Sequence, residues 1–391
     1  MSNARIAGVG MVKFCKPGKQ EPYRVMASTA IKTALKDADI DYNLVQQAYA
    51  SYVYGDSTCG QHALYDVGMT GIPVINVNNN CSSGSTALFL ARQAVASGAV
   101  ECALAFGFEE MQPGALGSQW EDRESPFGPM LQKLDECSNA PNGPLALRMF
   151  GQAGTYYVEK YGAHPDIFAK ISAKSRSHAL KNPYSLFTTP LTVQEVMDAP
   201  GIFPPYLTRF MACPPTCGAA AVVVCSEAFA KKHNVKADVE IVGQSMVTDI
   251  ENTWTNPIDL IGAQMTARAA SEVYEQAGIG PSDVQVVELH DCFTPNEIIT
   301  YEGLGLCAEG GAEKFINDGD NTFGGKFVVN PSGGLMSKGH PLGATGLAQC
   351  TELVWHLRGV AGDRQVEGAN IALQHNLGLG GAAVVTMYKK V

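Results

Sequence analysis

Apolar and polar positions fall into blocks along the chain, and the spacing within each block separates strands from helices. Ala4–Phe14 is a short apolar run punctuated by glycine and predicts a buried strand. Tyr23–Ala38 (YRVMASTAIKTALKDA) carries its apolar residues at helical spacing. Ile75–Val77 predicts a brief strand, and Glu101–Phe108 (ECALAFGF) and Ala219–Cys225 (AAAVVVC) predict buried ones. Cys81–Val100 (CSSGSTALFLARQAVASGAV) is apolar on nearly every face, which predicts a helix buried all round. From Val239 the alternation resumes. Strands are expected at Val239–Val242, Val284–Leu289, Asn370–Gln374 and Ala382–Tyr388, and helices at Ala263–Ala277 and Gly346–His356.

Between Gln112 and Met211 the pattern breaks. Proline, glycine, aromatic and charged residues dominate there, with helices expected only near Met149–Tyr161 and Asp166–Ala179. The reading is an inserted loop domain over 112–211, which would shape a substrate channel. It would interrupt an N-terminal half formed by 1–111 and 212–236, with a C-terminal half over 237–391. Both halves run strand, helix, strand, buried helix, strand. The expected fold class is therefore α/β. Two similar mixed-sheet halves would pack face to face around buried helices, with a site where strand ends and helix N-termini converge.

Composition narrows the function classes. Hydrophobic residues make up 46% and charged residues 17%, which excludes intrinsic disorder. The balance of 28 Lys+Arg against 38 Asp+Glu gives a formal net charge of −10 and no basic block, so nucleic acid is not an expected partner. A local basic patch could still serve a polyanionic substrate. Eleven cysteines at irregular spacing read as reduced thiols in an intracellular protein, cytoplasmic if bacterial. Cys213 and Cys217 form the closest pair, but no second pair stands near them, so no metal site is expected. No apolar run reaches the roughly 18 residues of a membrane span. The N-terminal MSNARIAGVGMVKF lacks a signal-peptide core, and the C-terminal MYKKV is not a peroxisomal SKL-type address.

Four segments carry candidate chemistry. Cys81 follows the polar step NVNNN and opens the buried helix. A thiol there would feel the helix dipole and unpaired N–H groups, which should depress its pKa and favour the nucleophilic thiolate. A buried structural cysteine is the competing reading. His290-Asp291-Cys292-Phe293 follows the strand VVEL. His290 and Cys292 should share a face, and Asp291 reads best as the N-cap of a Thr294–Tyr301 helix. Asn330–Gly346 (NPSGGLMSKGHPLGATG) is glycine-dense, with His340 held between Gly339 and Pro341. Gln374–Gly381 (QHNLGLGG) ends a strand with His375, Asn376 and Gly378.

In this order, NNNCSSGS, HDCF, NPSGGLMSKGHPLGATG and HNLGLGG resemble the thiolase superfamily, and HDCF resembles its sterol carrier protein type. YGDSTCGQ, GDNTFGGKF and GLAQCTELVWHLRG extend the resemblance over essentially the whole chain. It implies the thiolase fold and an acyltransferase that cleaves 3-oxoacyl-CoA with coenzyme A in lipid, fatty-acid or sterol side-chain metabolism. Cys81 would take the acyl group, His340 would activate it, and His290 would help form an oxyanion hole. Most thiolases supply a second thiol from a C-terminal CxG motif. Here Asn376-Leu377-Gly378 is the counterpart, and Cys292 would replace that thiol as acid/base, with His375, Asn376 and Gly378 supporting. Coenzyme A would be a substrate, with no permanently bound cofactor and no metal. A homodimer is expected, with a tetramer as the alternative. Rival readings are an acyl-CoA-binding or scaffold protein without activity, a ketosynthase, and a retro-aldolase.

Overall fold

The computed structural model describes residues 4–112, 120, 122–251 and 253–391. Met1–Asn3 of the N-terminal reading, and 113–119 and 121 of the expected insertion, lie outside the described residues. The strands are β1 (Ala4–Met11), β2 (Gln47–Ser51), β3 (Val74–Val77), β4 (Cys102–Glu109), β5 (Gly201–Phe203) and β6 (Leu207–Thr208). They continue as β7 (Gly218–Ser226), β8 (Val239–Val247), β9 (Val286–Glu288), β10 (Val328–Val329), β11 (Ile371–Gly378) and β12 (Ala382–Lys390).

Ten strands form one mixed sheet in the order β10-β9-β11-β12-β8-β1-β7-β4-β2-β3. The duplication is visible in that order. β1 pairs antiparallel with β7, β7 antiparallel with β4, and β4 and β3 flank β2 in parallel. β8, β12, β11, β9 and β10 repeat those relations. The two similar mixed halves pack around buried helices as expected, and their strands are also continuous with one another. They join through a short antiparallel contact, Arg5 against Glu240 and Ile6 against Val239.

The Ser83–Ala96 and Leu342–Arg358 helices fill the space between the halves. Leu88 and Ala91 of the first and Leu347, Ala348 and Leu353 of the second share one core with Val9, Ala105 and Val222. Both helices are apolar on most faces because both are covered on most faces. Two outer cores complete the layering. One places the Tyr23–Ala38 helix on the N-terminal half. The other packs the Ala263–Ala277 and Thr294–Gly303 helices, and the Leu145–Tyr161 and Asp166–Ala179 helices of the 112–211 segment, on the C-terminal half.

Glycines let the central layer close. A Cβ on Gly107 of β4 would lie 2.1 Å from the Gly343 carbonyl oxygen and 2.3 Å from Ser51 Oγ. One on Gly346 would lie 2.3 Å from the Ser85 backbone nitrogen. The N-terminal ends of the two central helices can therefore touch backbone to backbone. Ser51 Oγ donates to the Gly343 carbonyl at 2.7 Å across the same contact.

This contact predicts that Gly107→Ala destabilises the fold by about 1–3 kcal/mol or more through overpacking. Gly128→Ala, where an added Cβ meets nothing within 4 Å, should be nearly neutral. Urea titration of both variants checks the difference, and equal midpoints would contradict it.

Candidate active site

Cys81 stands in the turn between β3 and the first central helix. Asn80 adopts a left-handed conformation (φ 51°), which Asn tolerates better than most residues. The Ser82 and Ser83 hydroxyls donate back to the Asn79 and Asn80 carbonyls at 2.8 and 2.6 Å. These bonds staple the turn and delay the helix to Ser83, two residues beyond the sequence-based start. Cys81 remains partly exposed. Its thiol is nevertheless pushed up to about 12, first by removal from water and then by the charge of Glu109. The depressed pKa expected from a helix N-terminus is not found. The thiol stands before the helix, and its removal from water outweighs the lowering by a backbone N–H.

His340 is carried by the glycine-dense loop. Gly339 has φ 119°, and His340 forms an isolated bridge with Pro215. Its backbone N–H donates to Thr216 Oγ1 at 3.1 Å, and its Nδ1 lies 2.7 Å from Thr345 Oγ1. Its Nε2 has no hydrogen-bond partner among the described residues. Burial holds the imidazole down to about 3, so it is neutral at ordinary pH. His290 follows the end of β9, and Asn296 Nδ2 donates to its carbonyl. The His290 and His340 rings meet edge to face at 5.0 Å and 87°. Cys81 Sγ and one ring nitrogen of each histidine lie within 4.8 Å of one another. A thiolate and two imidazoles at this separation also have the ligand chemistry of a zinc site.

Asn376, near the end of β11, ties the cluster together. Its Nδ2 lies 3.2 Å from the Cys81 carbonyl oxygen and 3.0 Å from His290 Nδ1. Gly378 permits the approach, since a Cβ there would lie 2.2 Å from the Asn79 carbonyl oxygen. Cys292 is 5% exposed, and its carbonyl accepts from the Cys213 backbone N–H at 2.8 Å. Burial raises its thiol well above the ordinary value, with further contributions from Cys213 and Cys81. Five expected site residues, Cys81, His290, His340, Asn376 and Gly378, thus converge directly, and Cys292 lies within electrostatic reach. His375 makes no hydrogen bond to them among the described residues, although it lies within electrostatic reach of His290. It faces the other side of β11, with Nε2 3.0 Å from Thr266 Oγ1.

Asp291 is not a helix cap. Its carboxylate accepts from the Leu335 and Met336 backbone N–H groups at 2.7 and 3.5 Å, and Phe293 is the N-cap of the Thr294–Gly303 helix. Asp291 therefore anchors the loop that carries His340. Burial, then Glu297, pushes its carboxyl up to about 8.

Two residues near the site escaped the sequence reading. Glu109 ends β4 and is 1% exposed. It accepts from the backbone N–H groups of Val53, Tyr54 and Gly343 at 3.2, 2.9 and 3.0 Å. It thereby joins the N-terminal half to the helix that follows His340. The clue was a carboxylate closing an otherwise apolar strand. Cys213 is a third thiol near Cys81 and Cys292, raised first by burial and then by Cys81. From the sequence it is weighed only with Cys217, as a metal-ligand pair, and is given no role beside Cys81.

A thiol beside neutral imidazoles, at the ends of two packed helices in a duplicated sheet, is an arrangement suited to thiol-dependent acyl transfer. The Thiolase, N-terminal domain model matches residues 6–198, and the Thiolase C-terminal domain-like model matches 250–389. Sterol carrier protein 2 of Oryctolagus cuniculus is 53% identical over 390 residues, covering 98% of this chain and 71% of that protein. The benzoylsuccinyl-CoA thiolase subunit BbsB of Thauera aromatica is 37% identical over 384 residues, covering 96% and 94%. A solved Ltp2-ChsH2(DUF35) aldolase superposes with TM-score 0.84 at 23% identity, covering 99% and 98%, and so shares the fold. The chain belongs to the thiolase family, in its sterol carrier protein type. The acyltransferase class expected from its motifs agrees with that membership.

Glu109 gives a pH-dependent prediction. Its carboxyl rises from an ordinary 4.5 to about 7, with burial outweighing three backbone donors. The folded state therefore holds this proton more tightly than the unfolded chain. Its contribution to stability is full below about 4.5 and is lost as pH rises through about 7. Glu109→Gln removes that dependence. Relative to wild type, the variant should gain up to roughly 3 kcal/mol between the two ends of the window, read by urea unfolding at several pH values. A stability difference independent of pH would contradict it.

Proposed function

We propose that the protein is a 3-ketoacyl-CoA thiolase, cleaving 3-oxoacyl-CoA with coenzyme A through an acyl group on Cys81. The observation that carries the reading is the neutral His340, whose ring shares one tight cluster with the Cys81 thiol and whose Nε2 has no hydrogen-bond partner among the described residues. The thiol is protonated at rest, so attack and proton transfer must be coupled. As Cys81 sulfur bonds the 3-keto carbon, His340 Nε2 takes the thiol proton. The Cα–Cβ bond then breaks, the acyl group stays on Cys81, and the electron pair leaves as a CoA-thioester enolate. His290 donates to the enolate oxygen, and Cys292 protonates its α-carbon. A CoA thiol next gives its proton to the Cys292 thiolate and attacks the acyl-cysteine, while His340 returns its proton to the departing Cys81 sulfur, releasing the shortened acyl-CoA and resetting all three groups. Carbon, proton and electron counts balance without a redox partner.

Several features support the coenzyme A and lipid parts of this reading. The relative from Thauera aromatica is named for a CoA-thioester thiolase, and the relative from Oryctolagus cuniculus for a sterol carrier. Arg176 stacks over Phe187 at 4.1 Å, Lys16 lies over Phe187 at 5.1 Å, and Arg209 over Phe210 at 4.8 Å. None of these cations has an acidic partner among the described residues. The backbone N–H of Phe187 donates to the Ser337 carbonyl, three residues before His340. An uncompensated basic patch beside the His340 loop suits the phosphates of coenzyme A.

We assign the 112–211 segment to the substrate channel. The stack of its Phe150 on Phe293, at 5.1 Å, supports this. A cavity of about 500 Å³ lined by Met197, Ile202, Phe203, Tyr206, Leu207 and Met211 offers apolar room for an acyl chain. Homodimerisation through β3 fits the same reading. β3 closes the sheet with all four residues half-exposed, and an unpaired edge favours symmetric pairing.

The test separates the two thiols. Cys292→Ala should still acquire an acyl group on Cys81, but should lose exchange of acetyl-CoA α-protons with solvent. Its thiolysis rate should fall about 10²–10⁴-fold, and Cys292→Ser should recover little. Deuterium incorporation followed by mass spectrometry reads the exchange. Near wild-type exchange in Cys292→Ala would remove that thiol from the mechanism.

A further inference from the structure

Behind His290 lies a chain of fully buried polar side chains, Tyr388, Gln374, Ser85 and Asn376. Backbone carbonyls orient it at both ends, and a carbonyl oxygen can only accept a hydrogen bond. Gln374 Nε2 lies 2.7 Å from the Gly346 carbonyl oxygen and 2.8 Å from Ser85 Oγ, with Gln349 Oε1 more distant at 3.4 Å. The Gly346 carbonyl requires the amide nitrogen on that side, which leaves Gln374 Oε1 to accept from the Tyr388 hydroxyl. Ser85 Oγ accepts from Gln374, so its own hydrogen is free to go to Asn376 Oδ1 at 2.9 Å. Asn376 Nδ2 must then face the Cys81 carbonyl oxygen, which again can only accept. The same amide nitrogen meets His290 Nδ1 at 3.0 Å. Only a bare lone pair at Nδ1 satisfies it, so the imidazole hydrogen belongs on Nε2.

His340 is set the opposite way. The arrangement satisfying both contacts of Thr345 has its hydroxyl donating to the Pro341 carbonyl at 3.0 Å and accepting from His340 Nδ1–H. Its Nε2 is left bare. Two histidines in one cluster are thereby held in opposite tautomers, one an acceptor and one a donor.

We propose that Ser85, Gln374 and Tyr388 are positioning residues that lock His290 in the Nε2–H tautomer, so that it presents a donor to the substrate oxygen. The donor role rests on the thiolase reading above, whereas the tautomer does not. With the other tautomer, His290 would turn a lone pair toward a developing enolate oxygen and repel it. None of the three residues need touch substrate. They act through Asn376, on the face of β11 opposite His375.

Long-range nitrogen–proton NMR on protein labelled with [15N]histidine tests this directly. His290 is assigned by the signals lost in His290→Gln. Wild-type protein should show His290 protonated at Nε2 only. Ser85→Ala should give a mixture of tautomers and a kcat about 10-fold lower, with KM for coenzyme A within about 2-fold. Gln374→Glu should act in the same direction, because a carboxylate cannot donate to Ser85 and draws its hydrogen away from Asn376. A wild-type His290 protonated at Nδ1 would overturn the proposal, whatever the variants do. So would an unchanged His290 pattern and kcat in both folded variants. If the Nε2–H tautomer is present but Cys81 takes no acyl group, the relay stands and the thiolase reading fails.

Discussion

The backbone contact between the two central helices governs the rest of the molecule. Gly84 on one side and Gly343 and Gly346 on the other leave no room for an added Cβ between the two helices. That closeness lets the turn carrying Cys81 and the loop carrying His340 arrive at one point from the two halves of a duplicated sheet. The polar groups around the contact follow from it. Glu109 and Ser51 bind the Gly343 backbone from the N-terminal half, and Gln374 and Asn376 reach across from β11. A larger residue at this contact would separate Cys81 from His340 before altering either.

Burial sets the electrostatics of the site. The helix N-terminus does not generate a resting thiolate, because Cys81 precedes the helix and sits in dense surroundings with Glu109 nearby. The same burial keeps both histidines neutral. At rest the Cys81 thiol and the His290 and His340 imidazoles are therefore uncharged. Preorganised donors are worth most in such an environment, where water does not screen them.

Much of this was legible in the chain. The helices at Tyr23–Ala38, Asp166–Ala179 and Ala263–Ala277 have the limits their apolar spacing predicts, because each buries one stripe and ends in a clear break. Cys81, His290 and His340 stood out by unusual local chemistry, and the structure brings them together. Less visible were features created by distant pairing. The β1–β8 join has no sequence signature, since two residue pairs make it. Asp291 beside a helix start resembled a cap, but its partners lie over forty residues away in the His340 loop. His375 and Asn376 are neighbours in sequence, and strand alternation sends them to opposite faces. Ser85, Gln374 and Tyr388 acquire meaning only through one another.

The central claim is that Cys81 is the acyl acceptor of a thiol-dependent transfer. Incubation with acetoacetyl-CoA without free coenzyme A, followed by an acid quench and peptide mass spectrometry, tests it most directly. The account predicts one acetyl group on the peptide containing Cys81, release of acetyl-CoA, and no adduct in Cys81→Ala. An unmodified Cys81, or an acetyl group that persists elsewhere in Cys81→Ala, would contradict it.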